Sequence, residues 1–314
     1  MYRYVIKRLL FLIPTIFGVT FILFLVMNIA PGDPARALLG VSAPQADVDA
    51  LNRELGYDRP FLEKYVTYIK NIVLHRDFGR SYYTKQSVFE EIWPRYIVTI
   101  KLAFWGVFVA TLIGVPPGIY TAVKQYTLWD TIPSVIAFLI SAIPAFVFGL
   151  LSLYLFSLKL NWLPSFGSST YLHYILPTLT VAMSPAAQVM RFTKSSMLES
   201  IRQDYVRTAR AKGAPERRVI MKHALMNALL PVITMTGLSL GMLICGAVVA
   251  EKMFSIPGIG SLIVDRIVYK DEPIILAGVI LISICFTVVM LIVDITYALI
   301  DPRIKAKYTT IGKG

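Results

Sequence analysis

The chain has 314 residues, of which 56% are hydrophobic and 16% charged. A soluble domain carries charge on about a quarter of its residues, so this composition excludes an ordinary soluble enzyme and points to a polytopic membrane protein. The formal net charge of +12 must then be explained by where the basic residues lie relative to the bilayer.

In chain order, apolar segments fall at approximately 9–30, 97–123, 131–158, 175–198, 228–250 and 274–300. The first, Leu9 to Ala30, has 22 residues and no charge. That is about 33 Å of helix, against a hydrocarbon core of roughly 30 Å. It is longer than a signal-peptide core and lacks a small-x-small cleavage site, so it reads as a retained helix. The polar insert 31–96 follows. Phe61, Tyr65, Tyr68, Ile69 and Ile72 recur at helical spacing and predict an amphipathic helix over 60–75. The later spans carry many prolines, and Gly114/Gly118 and Gly237/Gly241 have the spacing that lets helix backbones approach closely. The expected organisation is residues 1–30 with the first span, an extracytoplasmic insert 31–96, a five-helix core 97–300 with a basic loop at about 191–227, and a tail 301–314.

Charge sets the expected orientation. With the N-terminus inside, the inner pieces hold 17 Lys/Arg against five acids, whereas the outer pieces hold 13 of each. This is the positive-inside asymmetry, with both termini cytoplasmic. It explains the high charge without nucleic acid, for which no interleaved basic–aromatic surface or known module is present.

The basic loop interrupts the apolar pattern with nine Lys/Arg between Arg191 and Lys222. Leu198, Ile201, Tyr205 and Ala209 share one helical face, and Arg202, Arg207 and Arg210 lie off it. Gly213 ends the helix as C′ and Pro215 opens the next at N1, with Glu216 in its first turn. Two helices meeting at a corner follow. The small residues Ala209, Ala211, Gly213 and Ala214 let another protein approach.

Between the last two apolar segments, Ser255-Ile-Pro-Gly-Ile-Gly260 is stiffened by Pro257 and turned by Gly258 and Gly260. A short helix is expected after it. Asp265, Arg266, Lys270, Asp271 and Glu272 read as exposed flanking charges.

Lys101 and Asp294 are the charges expected within the spans, each a functional hypothesis by default. Cys245 and Cys285 lie in apolar runs and imply neither a disulfide nor a metal site. Gly237-Leu-Ser239-Leu-Gly241 matches the nucleophile-elbow pattern but lies in an apolar span. The possible bases His75, His173 and His223 fall outside the spans. No catalytic residue is assigned, and no phosphate-cradling Gly-x-x-x-x-Gly-Lys-Ser/Thr occurs.

The segment from Asp204 to Pro231, with Arg207-Thr-Ala-Arg-Ala-Lys-Gly213 at its centre, resembles the cytoplasmic coupling motif of ABC-transporter permeases. It is most similar to the oligopeptide, dipeptide and nickel branch. The N-terminal stretch ending in Gly32-Asp-Pro34, Asp77-Phe-Gly-Arg-Ser81, Glu251-Lys-Met-Phe254 with the following Ser-Ile-Pro-Gly-Ile-Gly, and Asp301-Pro-Arg303 resemble that branch as well. The general motif's leading Glu and Ala are Arg207 and Thr208 here, and its later Leu-Pro is Leu225-Met226. These departures weaken the likeness to sugar and amino-acid permeases.

The resemblance implies an all-α, six-span importer permease with no cofactor of its own. It implies a second homologous permease, two cytoplasmic ATPases carrying ATP and Mg, and an extracytoplasmic binding protein, in a bacterial cytoplasmic membrane. Tyr205, Arg207, Ala209, Arg210, Ala211, Lys212, Gly213, Ala214 and Pro215 would form the ATPase-coupling surface. Glu251, Phe254, Pro257, Gly258, Gly260, Asp271 and Glu272 would form the binding-protein dock or outer gate. The expected cargo is short peptides, with nickel or a metal chelate as the alternative. A stand-alone channel or sensor would need no such corner helix.

Overall fold

A computed structural model describes residues 2–30 and 32–300. The Asp301-Pro-Arg303 motif and the tail lie outside the described residues. Among those described there is no strand, only an isolated bridge between Arg80 and Ser87. Long apolar runs give helices almost throughout, with some prolines at helix starts and others, such as Pro14, Pro133, Pro185 and Pro231, inside helices.

Four helices are long and apolar enough to cross a membrane: Leu9–Ile29 within α1 (Tyr2–Ile29), α5 (Val88–Val123), Glu216–Gly246, and most of α14 (Glu272–Ile300). One further helix pair is long and apolar enough only when taken together across a bend. The segment expected at 131–158 is two helices, α6 (Leu128–Ala142) and α7 (Ala145–Ser152) with a π-helical continuation to Lys159, bent by 99°. The break follows from Pro144, which has no N–H to donate and forces Ile143 out of the helical region, to φ −81° and ψ 123°. The segment expected at 175–198 lies in α8 (Ile175–Ile201), which is 27 residues long but too polar to be counted as a crossing by composition.

The chain folds as two compact units. The first joins Ile6–Thr99 with Pro257–Thr287. After α1 it contains α2 (Pro34–Leu39), α3 (Gln45–Glu54) and α4 (Phe61–Lys70), which runs on to His75 as a π-helical turn. The helix predicted over 60–75 is thus present. Its apolar face meets α1 through edge-on aromatic contacts of Phe61 and Tyr65 with Phe21 and Phe24. Tyr65 Oη donates to Phe17 O at 2.9 Å. The later helix α13 (Ile259–Val268) belongs to this unit too, and Ile259 N donates to Thr99 Oγ1 at 2.9 Å. The insert therefore does not fold alone, as a linear division at 96 implies. It folds with a segment more than 160 residues downstream.

The second unit, Ile100–Ile256 with the chain from Val288, is a helical core built round α8. One face of α8 is lined by Ala182, Ala186, Val189, Met190, Thr193 and Met197, all buried. Glycines of α5 let the two backbones touch. A Cβ on Gly114 would lie 2.6 Å from Ala186 O, and one on Gly118 would lie 2.7 Å from Met190 O. The glycine spacing read as helix packing is used as such. Gly237 is equally tight, against Val293. α6 is tied to α8 by an ion pair between Asp130 and Lys194, with Lys194 Nζ also donating to Ser134 Oγ at 3.1 Å.

Candidate functional site

In the core unit, α8 stops at Ile201, Arg202 and Gln203 turn, and α9 runs Asp204–Ala211. The single helix expected to carry Leu198, Ile201, Tyr205 and Ala209 is therefore broken, although its apolar face still points inward. Val206 and Ala209 pack with Met197, Val219, Ile220, Ala224 and Ala228, and Leu198 and Ile201 cover the same cluster. Gly213 has φ +76°, its N–H bonds Arg210 O at 2.9 Å, and Ala214 N–H bonds Ala209 O at 3.2 Å. This pair of bonds is the Schellman cap, which needs a left-handed residue at C′. Pro215 stands as the N-cap of α10 (Glu216–Arg218) rather than at N1. α10 continues through a π-helical turn into α11 (Leu225–Gly246).

Arg210 clamps this corner by donating twice to Glu216, at 2.7 and 3.1 Å. Ser200 Oγ donates to Ala224 O at 2.8 Å, and Ser196 Oγ to Ala228 O at 2.8 Å. Arg207, Ala211, Lys212, Gly213 and Pro215 are exposed, Tyr205 is 42% exposed and Ala214 is half-buried. Ala209 is buried at 9% exposure, because it faces the apolar cluster. It is not part of the corner's exposed surface.

The opposite face of α8 carries a polar line that sequence reading missed. Ser184, Gln188, Arg191, Ser195, Glu199 and Arg202 follow one another at three- or four-residue steps, and all but half-buried Ser184 are exposed. They line three successive cavities of about 200, 620 and 470 Å³; the first two share Gln188 and the last two share Ser195. Ser141, Phe192 and Met235 complete the middle one. The periodicity was available in the sequence. It is obscured because Arg191 and Lys194 run on into the basic residues that follow, although both lie inside the continuous helix α8. Lys101 and Asp294 are thus not the sole charges within long helices. Lys101 is exposed and Asp294 half-buried.

The 251–273 segment also departs from expectation. α12 (Val248–Met253) ends at Phe254, and Ser255 takes φ +55° before Pro257. Glu251, Phe254, Gly258 and Gly260 are buried and Pro257 is half-buried. Of the supposedly exposed charges only Asp265 is exposed; Arg266, Lys270, Asp271 and Glu272 are buried. Burial is possible because the insert unit supplies partners. Asp271 accepts from Ser81 Oγ and from Tyr82 N at 2.9 Å. Arg266 pairs with Glu91 and lies over the Tyr83 ring at 4.6 Å. Lys270 Nζ donates to Ala30 O and Gly32 O at 2.6 and 2.7 Å. Desolvation pushes the Asp271 carboxyl above its ordinary pKa, against the lowering effect of these bonds. Asp271 and Glu272 therefore do not present a charged docking flank.

Long apolar helices, a hydrogen-bonded basic corner and a polar-lined helix face suit an integral membrane transport subunit. Two family models cover nearly the whole chain: "Binding-protein-dependent transport system inner membrane component" over residues 114–306, and the N-terminal component of the same system over 1–103. The chain belongs to this family of ABC importer permeases, as a non-catalytic inner-membrane subunit. Within it the chain falls in the peptide and nickel importer branch. It is 41% identical over 307 residues to the glutathione transport system permease proteins GsiC of Escherichia coli K12 and Shigella dysenteriae serotype 1, covering 98% of this chain and 100% of each relative. The fold is similar to that in a crystal structure of an amino acid ABC transporter with histidines. There the TM-score is 0.50 at 15% identity, covering 67% of this chain and 94% of the other.

Proposed function

We propose that this chain forms half of the translocation path of a six-span importer for short peptides, glutathione-like tripeptides among them. A second permease would form the other half, with two ATPases that bind ATP and Mg on the cytoplasmic side and a binding protein outside. Both termini and the corner 204–218 face the cytoplasm, and the insert 31–96 faces out. The observation that carries the reading is the polar line of α8. An arginine exposed on a membrane-embedded helix is costly against lipid, about 2.5 kcal/mol or more, so Arg191 belongs against water, cargo or a partner subunit. Lined with Gln188, Ser195 and Arg191, the groove suits amide groups and a carboxylate. Glutathione, named for the relatives, is a tripeptide with free carboxylates.

In this arrangement the exposed residues Arg207, Arg210, Lys212 and Gly213 meet an ATPase, and closure of the ATPases is transmitted through the clamped corner into α8 and α11. The test is uptake of a labelled tripeptide into proteoliposomes containing the assembled transporter, with glutathione, dipeptides and a nickel chelate as competitors. Arg191→Ala should lower uptake about tenfold or more, the value of one charged hydrogen bond, and Arg191→Lys should retain part of it. Competition by the nickel chelate alone would assign the alternative cargo. Undiminished uptake in Arg191→Ala would remove this helix face from the path.

A further inference from the structure

We infer that the insert unit holds a second ligand site, separate from the α8 groove, for a small zwitterion bearing a free ammonium and a free carboxylate. The site is an open cavity of about 290 Å³ lined wholly by residues of that unit, between α4, the 77–82 turn and the start of α14. Pockets for small molecules begin at about 300 Å³, so the volume suits an amino acid or a peptide of two or three small residues.

Two wall groups are left open to a ligand: the Glu272 carboxyl, which accepts no hydrogen bond among the described residues, and the Tyr68 hydroxyl, which lacks the partner that buried polar groups normally have. Glu272, the first residue of α14, is 4% exposed; desolvation pushes its carboxyl above the ordinary pKa, and Lys64 and Lys270 act on it through charge rather than through a hydrogen bond. Its neighbours Lys270 and Asp271 are already committed, to Ala30 O and Gly32 O and to Ser81 and Tyr82. The hydroxyl of Tyr68 is likewise buried without a partner. Burial pushes its pKa well above the ordinary tyrosine value, so it remains a neutral donor.

Charge then specifies the ligand. The lining includes three cations, Arg59, Lys64 and Arg80, and three carboxylates, Glu54, Asp77 and Glu272. A simple anion or a simple cation would meet like charge on one side, whereas a zwitterion satisfies both. The ligand ammonium sits on Glu272 at the buried end of the cavity, supplying the hydrogen bonds that carboxylate lacks. The ligand carboxylate reaches the arginines, of which Arg59 and Arg80 are exposed at the mouth. Lys64 is held by Asn28 Oδ1 at 3.3 Å and lies 4.0 Å over the Tyr57 ring, which fixes its ammonium in the wall. The inference shares the cargo chemistry of the proposed function but rests on different residues.

The experiment is calorimetric titration of the purified, detergent-solubilised transporter with triglycine, without ATP or binding protein. N-acetyl-triglycine and triglycinamide, each lacking one charge, are titrated in parallel. Triglycine should bind and the two blocked peptides should bind at least about tenfold more weakly. Glu272→Gln should weaken triglycine binding by about tenfold to a hundredfold, again the worth of a charged hydrogen bond. If Glu272→Gln is not monodisperse, the exposed-rim variant Arg80→Ala decides, with an expected loss of several-fold. Arg191→Ala separates the two sites. Binding lost in Glu272→Gln but kept in Arg191→Ala assigns it here; the reverse assigns it to the α8 groove and overturns the inference. It is also overturned if triglycine does not bind, or if the acetylated peptide binds equally well. Because no transport is measured, these outcomes are independent of whether peptides are the cargo.

Discussion

Replacing Gly114 by alanine adds one methyl group where the structure has no room for it. The new Cβ would stand 2.6 Å from Ala186 O and 3.0 Å from Val189 Cβ, against an ordinary contact of 3.4 Å or more. The first neighbour is backbone and cannot rotate away, so α5 and α8 must separate locally by roughly 0.8 Å, the difference of those two distances. A gap of that size forfeits a quarter to a half of each facing dispersion contact, and overpacking of this kind costs about 1–3 kcal/mol. Alanine's better helix propensity returns at most about 1 kcal/mol. Gly118→Ala meets Met190 O and Thr193 and should behave similarly. Gly246→Ala, with nothing within 4 Å, is the control. Thermal unfolding of the purified transporter should show Gly114→Ala and Gly118→Ala lowered by several degrees, at about 2–4 °C per kcal/mol, with Gly246→Ala unchanged or raised. If all three melt together, close helix contact through these glycines is not what holds α5 to α8.

At the corner, Gly213→Ala introduces strain at φ +76° of about 1 kcal/mol, and nothing in the chain lies within 4 Å of the added Cβ, which Gly213→Trp shares. Both variants should be expressed normally, but Gly213→Trp should lose far more uptake and coupled ATPase activity if an ATPase docks there; equal activities would argue against docking. Topology is checked with single cysteines at Gln86 and Thr208, both exposed. Only Gln86→Cys should react with an impermeant thiol reagent added from outside, and labelling of Thr208→Cys alone would reverse the orientation. Ser200 would be a misleading probe, since it is buried and bonded to Ala224 O. Asp271→Lys should unfold the insert unit rather than alter docking, because it removes the acceptor of Ser81 and Tyr82 and places a cation beside Arg266. Protease cleavage within 31–96 should increase, and an intact, protease-resistant variant would contradict the assigned network.

The long apolar runs, the cap at Gly213 and the amphipathic helix after Pro60 were legible because each depends on residues within a few turns of one another. Hydropathy, a left-handed C′ glycine and a 3.6-residue period are local properties. The basic corner was legible for the same reason, and its motif carried the family likeness. Pro144 is legible as one of several helix-disturbing prolines, but the size of its bend is not, because apolar composition continues across it. What local pattern could not show is pairing between distant segments. Arg266, Lys270, Asp271 and Glu272 look like solvated charges until Ser81, Tyr82, Glu91 and the carbonyls of Ala30 and Gly32 arrive from the other end of the chain. Ala209 looks available until Val219, Ala224 and Ala228 cover it. A sequence fixes which side chains carry charge and which backbone turns are permitted. Whether a charge meets water, a partner or an unfilled cavity depends on tertiary contacts, since the cost of burial is set by the groups folded around it.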